Sequence, residues 1–491
     1  KLFYQNFEVL LKIARMIQDV SLTGSDENQF LGDMFEGFLD QGVKQSEGQF
    51  FTPMPIVKFI INSLPHKTNS QVIDYACGAG HFLNEYTTSN QHQEKRIVGI
   101  EKEYRLSKVA KVSSFMYGSE IEVIYDDALK VSDKIQDHSF DVLIANPPYS
   151  VKGFLETLSD EDRNRFELIK TIDEKSYTAN NAIECFFIER AKQLLAKDGV
   201  AGIIVPSSIL NKGSKDNIYV ATRELLLKYF DIVAIAEFGS GTFGKTGTNT
   251  VTLFLQRRSD IQDYAKHYQN MVDTWFDGDF ISNQEFADSD LLERYCNHIA
   301  LDVEIYQDLL QNKLSNELFK HETFAEYKTE FEKLTETKNR RSKKNYKELT
   351  SIEQQQKETE ELIKFIKEIE RDKFYYYCLA AKNARDVIIV KSPSDGKESK
   401  KFLGYEWSSA KGNEGIKYLV NNSTKLDDEE LDEEDKRILE NLQGLKSINT
   451  PLYNPHNKAD NQKINSIIAN NFVGNTIDIP ESLTQFVSKA R

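Results

Sequence analysis

The chain has 491 residues, of which 40% are hydrophobic and 28% are charged, and this balance excludes a wholly disordered protein. A formal net charge of −15 excludes a generally basic surface, so any contact with a nucleic acid needs a local basic patch or a partner protein. The longest apolar runs have the length of strands, far below the roughly 20 residues that cross a bilayer, so no membrane span is expected.

Residues 1–48 are predicted to be helical. Apolar side chains recur at helical spacing from Phe3 through Phe7 to Leu10, which is the pattern of a helix with one buried face. We expect this segment to pack as a cap on the next domain. Because the sequence starts at Lys1 without an initiator methionine, we also expect the natural polypeptide to begin further upstream.

From about residue 70 short apolar runs alternate with helical stretches, which is typical of repeated βα units around a parallel sheet. We therefore expect a doubly wound α/β catalytic domain over residues 49–260. Such a sheet binds its ligands beyond the carboxyl ends of its strands. The seven predicted strands are Gln71–Tyr75, Ile97–Glu101, Ile121–Tyr125, Asp141–Asn146, Val200–Val205, Ile232–Glu237 and Thr250–Leu255.

The alternation fades in residues 261–491, which are predicted to be mostly helical. Residues 324–371 are highly charged and keep apolar residues at helical spacing, as in Leu362, Phe365 and Ile369. This pattern predicts a helical hairpin or a coiled arm. The acidic run Asp427–Asp435 is interpreted as a solvated face or loop without a binding function.

A basic cluster within this arm is the best candidate for contacts with the phosphates of a nucleic acid in an acidic chain. The alternative is a solvated helix face balanced by nearby glutamates, and this alternative has slightly more in its favour. Lys212 and Lys245, in loops beside the predicted site, are smaller candidates. The cluster consists of Lys338, Arg340, Arg341, Lys343, Lys344 and Lys347.

The four cysteines, Cys77, Cys185, Cys296 and Cys378, lie far apart and form no CxxC pair. This spacing argues against a zinc site and against a disulfide framework. We therefore expect no bound metal and a reducing, cytoplasmic location.

The most informative motif is Asn146-Pro147-Pro148-Tyr149, at the end of an apolar predicted strand. Two prolines cannot continue a sheet ladder, so the strand must end there and present its tip. The Asn146 side-chain oxygen and the Pro147 carbonyl can accept hydrogen bonds from an adenine amine, which makes its nitrogen more nucleophilic. Tyr149 can stack on a base swung out of the helix. The alternative is a tight turn with a core tyrosine.

A second motif, Asp74 to Phe82, lies between a predicted strand and a helical stretch. The small residues Ala76, Gly78 and Gly80 let the backbone approach a ligand closely, and the following helix N-terminus offers free amides to a carboxylate. The motif therefore predicts a binding loop for a nucleotide-like cofactor.

Two acidic residues extend this predicted cofactor site. Glu101 ends the next predicted strand, where a carboxylate can accept both hydroxyls of a ribose, and Asp127 follows the third strand, where it could bind the amine of the cofactor's own adenine. The spacings from Asp74 to Glu101, Asp127 and Asn146 are 27, 26 and 19 residues in turn, each about one strand-helix unit. Four polar residues thus fall at four successive strand ends.

Together these residues resemble the amino-methyltransferase family, and their order resembles the N6-adenine DNA methyltransferases of type I modification subunits and fused type II restriction-modification enzymes. The resemblance covers residues 45–257 and includes Gly48–Pro53, Phe238–Phe243 and Thr246–Val251. It implies a Rossmann-like, seven-stranded sheet that uses S-adenosylmethionine, with helical N-terminal and mostly helical C-terminal additions.

The resemblance also implies roles for two further residues. Thr52 should touch the methionine end of the cofactor, and Phe243 should pack against the flipped base. Tyr75 and His81 stand where the family more often has proline and glycine. Two later segments also resemble modification proteins but have no known chemical role, Phe402–Trp407 and Lys411–Gly415.

The implied function is methylation of adenine N6 in double-stranded DNA within a restriction-modification system. The residues contain no convincing target-recognition domain or nuclease constellation, so a specificity subunit is expected, and any nuclease would lie in a missing segment or a partner. Three alternatives stay open: methylation of a protein glutamine, methylation of cytosine N4, and an assembly module that binds cofactor but needs a specificity partner. Carbon methylation of cytosine needs a cysteine nucleophile, and Cys77 lies in the wrong loop for that.

Overall fold

The structure is a computed structural model, and it describes most of the chain from residue 52 onward. The N-terminal prediction for residues 1–48, Lys245 and the acidic run Asp427–Asp435 lie outside the described residues, apart from isolated positions. The described ranges are 52–90, 93–213, 217–239, 241–243, 248–258, 264–277, 290–410, 413–419 and 448–490, with the single residues 7, 11, 12, 15, 436, 440, 444 and 447.

The chain divides into two compact units. The first contains residues 1–259 and 384–491, and the second contains residues 260–383. The predicted division into 1–48, 49–260 and 261–491 stays a prediction. The structure differs from it in one respect, because the last hundred or so residues belong to the same unit as the catalytic domain.

The strands of the first unit are β1 (Gln71–Asp74), β2 (Arg96–Glu101), β3 (Ile121–Tyr125), β4 (Phe140–Ala145), β5 (Leu195–Pro206), β6 (Phe230–Glu237), β7 (Thr250–Arg257), β8 (Val387–Lys391), β9 (Tyr405–Ala410), β10 (Asn413–Tyr418) and β11 (Val487–Ala490). Its helices are α1 (Met54–Ser63), α2 (His81–Ser89), α3 (Tyr104–Met116), α4 (Asp160–Asn164), α5 (Ile183–Leu194), α6 (Ser208–Asn211), α7 (Ile218–Tyr229), α15 (Gly396–Leu403) and α16 (Ile464–Phe472). Short 3-10 turns occupy Phe154–Thr157, Glu167–Thr171, Glu174–Ser176 and Glu481–Leu483.

One large sheet organises this unit, with the strand order β11-β8-β6-β7-β5-β4-β1-β2-β3. Five adjacent strands of the sheet, β5, β4, β1, β2 and β3, run parallel to one another. Strand β7 is antiparallel to both β5 and β6. The prediction of a mainly parallel, Rossmann-like α/β sheet is confirmed. Each predicted strand forms, with its ends shifted by a few residues.

The sheet has nine strands where the sequence predicted seven. The run Val387–Lys391 forms β8, which pairs in parallel with β6, and β11 pairs antiparallel with β8. These strands come from the region predicted to be mostly helical. They cover the outer edge of β6, and a covered edge has no unpaired backbone groups to offer to another chain.

The core lies on both faces of the sheet because side chains alternate along each strand. In β4, Val142 and Ile144 join one buried apolar cluster, whereas Leu143 and Ala145 join the other. Helix α1 packs on the first face, where Phe59 meets Phe254 of β7 edge-on at 5.9 Å between ring centroids. A strand buried on both faces is held rigidly, so the residues at its tip have fixed positions.

The second unit is helical, as predicted for the charged arm. It contains α8 (Tyr264–Phe276), α9 (Asp290–His298), α10 (Val303–Leu310), α11 (Glu322–Lys333), α12 (Thr335–Ser342), α13 (Lys344–Lys347) and α14 (Ser351–Ala380), with a 3-10 turn at Leu318–Lys320. Thr350 and Glu353 form a capping box that starts α14. Its buried Glu370 accepts hydrogen bonds from the hydroxyls of Tyr295, Tyr306 and Tyr327, which ties α14 to α9, α10 and α11.

No helix among the described residues combines the length and apolar character needed to cross a membrane.

Candidate active site

The polar residues singled out in the sequence meet at one edge of the sheet. Asp74 ends β1, Glu101 ends β2 and Asn146 follows β4. Strand β1 lies between β2 and β4 and runs parallel to both, so the three carboxyl ends are neighbours. Asp127 follows β3, the next strand outward. This is the edge where a doubly wound sheet binds its ligands.

The loop from Asp74 to Gly80 has a shape that depends on glycine. Gly78 and Gly80 have φ angles of 52° and 88°, in the left-handed region that other residues rarely adopt. The Gly80 amide donates to the Cys77 carbonyl at 2.7 Å, closing a tight turn. Helix α2 begins directly afterwards, so the amides of its first turn have no acceptor within the helix and can serve a bound anionic group.

Asp74 is buried at the centre of this loop. Its Oδ1 accepts the Ala76 amide at 2.9 Å, but its Oδ2 is buried without a hydrogen-bond partner among the described residues. Burial, and then the charge of Glu101, raise the pKa of Asp74 to about 8. The unpartnered oxygen is an acceptor suited to a cationic group.

Glu101 supports the same loop from β2. Its Oε2 accepts the Gly78 amide at 2.9 Å, and its Oε1 accepts the Glu103 amide at 2.7 Å. Burial raises the pKa of Glu101. Each carboxylate oxygen keeps a second lone pair, so the side chain can still accept hydroxyl groups of a ligand.

Asp127 is already engaged in the structure. Its Oδ2 lies 2.8 Å from Lys102 Nζ, and its Oδ1 accepts the Leu129 amide at 3.1 Å. Lys102, which sequence reasoning did not assign, directly follows Glu101. The role of Asp127 toward an adenine amine stays a prediction.

Asn146 and Thr52 are brought together although 94 residues separate them. The Asn146 amide nitrogen donates to Thr52 Oγ1 at 2.9 Å. Thr52 is buried and lies just before α1. This bond orients the Asn146 side chain so that its oxygen, the predicted acceptor, faces away from Thr52.

Tyr149 covers that acceptor. Its hydroxyl donates to Asn146 Oδ1 and also approaches the Ile204 carbonyl at 3.4 Å. Burial, with a further contribution from the charge of Glu184, raises the pKa of Tyr149 well above its ordinary value, so the phenol remains a donor. The Asn146 oxygen keeps one further lone pair, which an incoming N–H donor can use beside the Tyr149 hydroxyl.

Glu184 is a residue that sequence reasoning missed. It is 1% exposed in the first turn of α5, where its Oε2 accepts the Ser150 amide at 3.1 Å and its Oε1 accepts the Tyr219 hydroxyl at 2.7 Å. Ser150 has a φ of 54°, an unfavourable angle for serine. A buried carboxylate thus fixes the exit of the Asn146–Tyr149 motif. Its signal was a lone acidic residue within the apolar run Ile183–Phe187.

Phe243 is placed differently from the other predicted residues. It is 5% exposed and belongs to the buried apolar cluster that also holds Phe238 and Phe402. Its ring is therefore a core side chain in this conformation, and its role against a flipped base stays a prediction.

The basic cluster of the second unit is partly neutralised. Arg340 donates to Glu358 at 3.1 and 3.2 Å, and Arg341 binds both Glu332 and Glu358. These hydrogen bonds raise the pKa of Arg341. The arrangement matches the alternative in which glutamates balance the cluster. Lys343 and Lys344 are exposed, and Lys344 lies 3.8 Å from Glu348.

Comparison with known proteins places the chain among DNA methylases. The family model described as N-6 DNA Methylase matches residues 26–279. The chain is 24% identical over 271 residues to the methylase subunit of the type I restriction enzyme EcoEI from Escherichia coli, covering 52% of each chain. It is 26% identical over 219 residues to the MjaVII methylase subunit from Methanocaldococcus jannaschii, covering 43% of this chain and 37% of that one.

Among solved structures, the chain is similar to the methyltransferase subunit of a type I restriction-modification system from Streptococcus thermophilus. The two chains are 19% identical with a TM-score of 0.40, and the match covers 50% of this chain and 53% of that one. The chain spans about half or less of the length of the curated relatives described above. The family match, in contrast, spans just over half of the 491 residues and contains every predicted residue of the site from Thr52 to Phe243. The chain therefore belongs to the N-6 DNA Methylase family.

Proposed function

We propose that this chain methylates the N6 amine of a flipped adenine in double-stranded DNA, with S-adenosylmethionine as the methyl donor. The observation that carries the proposal is the position of Asn146 at the tip of β4, where Thr52 orients its side chain. The neighbouring strand β1 ends at Asp74, which has an unpartnered acceptor oxygen. Incubation of DNA with methyl-labelled S-adenosylmethionine, followed by digestion to nucleosides, tests the proposal.

The motif Asn146–Tyr149 supports activation of a planar amine. An adenine amine has two N–H donors, and the second lone pair of Asn146 Oδ1 and the Pro147 carbonyl can accept them. Both acceptors sit on a backbone that Pro147 and Pro148 restrain. As the amine nitrogen gains positive charge during attack, these oxygens stabilise it without having to reorganise.

The loop Asp74–Gly80 and Glu101 fit the proposed cofactor. S-adenosylmethionine would supply a methyl group on a positively charged sulfur, which is the electrophile that the amine needs. The Asp74 Oδ2 acceptor fits the ammonium of its methionine part, and Glu101 fits its ribose hydroxyls. Thr52, which holds Asn146, is the proposed contact near the methionine end.

The names of the relatives support the choice of substrate and partner. The EcoEI and MjaVII proteins are methylase subunits of type I restriction enzymes, so we propose double-stranded DNA as the substrate and a specificity subunit as the partner. A partner also fits the net charge of −15, because it would add basic surface to an acidic chain. A nuclease part and a cytoplasmic location stay predictions.

The enzyme alternatives differ in the acceptor. A glutamine amide and the cytosine N4 amine have the same pair of N–H donors, so the Asn146–Tyr149 motif alone does not separate them from adenine. The family match favours DNA adenine. Carbon methylation is disfavoured because burial raises the pKa of Cys77 well above its ordinary value, which leaves its thiol protonated and weakly nucleophilic.

Replacing Glu184 with glutamine should slow methyl transfer. Glutamine keeps only one acceptor oxygen for the Ser150 amide and the Tyr219 hydroxyl, so the exit of the motif loosens and kcat should fall about tenfold, with unchanged cofactor affinity. Glu189→Gln is the matched control, because buried Glu189 on the same helix accepts two amides elsewhere, at Glu167 and Leu168. Equal losses of kcat in both variants would assign Glu184 to stability alone.

Neutralising Lys343 and Lys344 together should change the salt dependence of DNA binding by about two units of slope if both contact phosphates. Neutralising Arg340 and Arg341 should instead lower thermal stability, since their charges are already paired with Glu358 and Glu332. Binding isotherms at several salt concentrations measure the slope. An unchanged slope in the lysine variant would remove this arm from the DNA interface.

A further inference from the structure

The segment Phe402–Trp407, to which the sequence assigned no role, forms hydrogen bonds with the loop after β6. Helix α15 ends before Gly404, which has a φ of 85°. A Cβ at Gly404 would lie 2.6 Å from Ile448 Cγ2, so only glycine meets both the angle and the space. The turn starts β9, in which Tyr405 and Trp407 are two residues apart and share one face of the strand.

Both side chains donate to the same carbonyl. Tyr405 Oη lies 2.9 Å and Trp407 Nε1 lies 3.2 Å from the Thr242 carbonyl oxygen. Thr242 is fully buried, and its hydroxyl donates to the Gly239 carbonyl at 2.9 Å. Because water does not reach this carbonyl, it depends on the two aromatic donors for its hydrogen bonds.

This loop, described at residues 238–239 and 241–243, is called the β6 loop below, and its Phe238 and Phe243 belong to the buried apolar cluster against which Tyr149 packs. At its start, the ring of Phe238 packs edge-on against Phe59 of α1 at 5.5 Å between centroids, and α1 begins just after Thr52. Beyond the far end of the loop, the Asn249 carbonyl accepts the amide of Ser207, the residue after β5, at 2.9 Å. Tyr149 approaches the same strand at the Ile204 carbonyl. Residues on either side of the β6 loop therefore contact α1, which follows Thr52, and the end of β5, which Tyr149 approaches.

We propose that Tyr405 and Trp407 are positioning residues that hold the β6 loop in place beside the Asn146–Tyr149 motif, so that the wall around the target amine is ordered before the base arrives. The proposal rests on the proposed function for its effect on methyl transfer. The loop geometry itself does not depend on that function, and it can be measured separately.

The test is the double variant Tyr405→Phe/Trp407→Phe, which keeps an aromatic side chain at each position and removes both donors. The matched control is Tyr453→Phe, since the Tyr453 hydroxyl is fully buried in the same unit without a hydrogen-bond partner among the described residues. Hydrogen exchange in the full chain should be about tenfold faster for amides of the β6 loop in the double variant, and unchanged in the control.

The same variants are assayed for methyl transfer and for S-adenosylmethionine affinity. We expect about a tenfold or larger fall in kcat with an unchanged cofactor dissociation constant, because Asp74 and Gly78 of the cofactor loop are held by hydrogen bonds within the loop and to Glu101. The single variant Tyr405→Phe, with one donor left on Thr242, should give an intermediate exchange rate.

Tryptophan fluorescence gives an independent readout. The chain has two tryptophans, so Trp275→Phe leaves Trp407 as the sole tryptophan. In that background its fluorescence emission should shift in Thr242→Gly, which loosens the bonded turn.

An unchanged hydrogen-exchange rate in the double variant, or a loosened loop with full kcat, would overturn the proposal. Wild-type protein that binds cofactor but methylates no DNA would overturn the proposed function instead, and hydrogen exchange would still decide whether the two donors hold the loop.

Discussion

Asn146→Ala is expected to lower methyl transfer about a thousandfold or more while leaving the S-adenosylmethionine dissociation constant nearly unchanged. The variant removes the side-chain acceptor for the target amine, and an oriented acceptor at the reacting atom contributes a large part of transition-state stabilisation. Cofactor affinity should survive, because Asp74 and Glu101 are held by backbone amides and not by Asn146. Single-turnover kinetics and calorimetry measure the two quantities.

The control for this variant is Asn475→Ala, an exposed asparagine whose side chain bonds only to Asn470 among the residues in view. It should retain full transfer. Thr52→Val should fall between the two, since it removes the group that orients Asn146 but leaves the acceptor in place. Substantial turnover in Asn146→Ala would rule out the amine-activation mechanism.

Asp74→Asn is expected to weaken S-adenosylmethionine binding about a hundredfold at pH 7.5, because a buried partner of a cationic group is lost. In the wild type the pKa of Asp74 is raised to about 8, whereas the bound ammonium favours the ionised carboxylate. Binding should therefore release a proton, and affinity should rise by up to about tenfold per pH unit between roughly pH 6 and 7.5. The variant should show neither effect.

The same carboxyl affects stability in the opposite sense. Its folded pKa of about 8 lies above the ordinary 3.8, so the folded state favours the neutral acid, and its contribution to stability is lost as pH rises from about 4 toward 8. The cofactor-free Asp74→Asn protein should then melt higher than wild type at pH 8, and exposed Asp133→Asn should not. A lower melting temperature in Asp74→Asn would show that Asp74 stabilises the fold and is not kept for its ligand.

The apolar runs of the sequence located the strands of the catalytic sheet because each run is buried on both faces. Strand β11 could not be predicted that way, since Val487–Ala490 carries one buried residue and forms only by pairing with Val387–Val390, about a hundred residues earlier. Strand β8 is a clear apolar run, but it stands alone within a region whose pattern is otherwise helical. Strand β8 and the edge strand β11 therefore depend on long-range pairing and not on local pattern.

The sequence predicted those features of the candidate site that depend only on where residues lie along the backbone. Strand ends placed Asp74, Glu101 and Asn146 together, and the structure confirms that placement. Side-chain partners were not predictable, because they depend on packing between distant segments: the Asn146 amide donates to Thr52, 94 residues earlier, and Lys102 pairs with Asp127. The pairing of Arg341 with Glu332 and Glu358 likewise joins different helices.

The most direct test of the account is to incubate the full chain with unmethylated genomic DNA and methyl-labelled S-adenosylmethionine, and then to digest the DNA to nucleosides. The account predicts label in N6-methyldeoxyadenosine, lost in Asn146→Ala and retained in Asn475→Ala. Label in N4-methyldeoxycytidine or in added protein, or no labelled DNA from a chain that binds the cofactor, would contradict it.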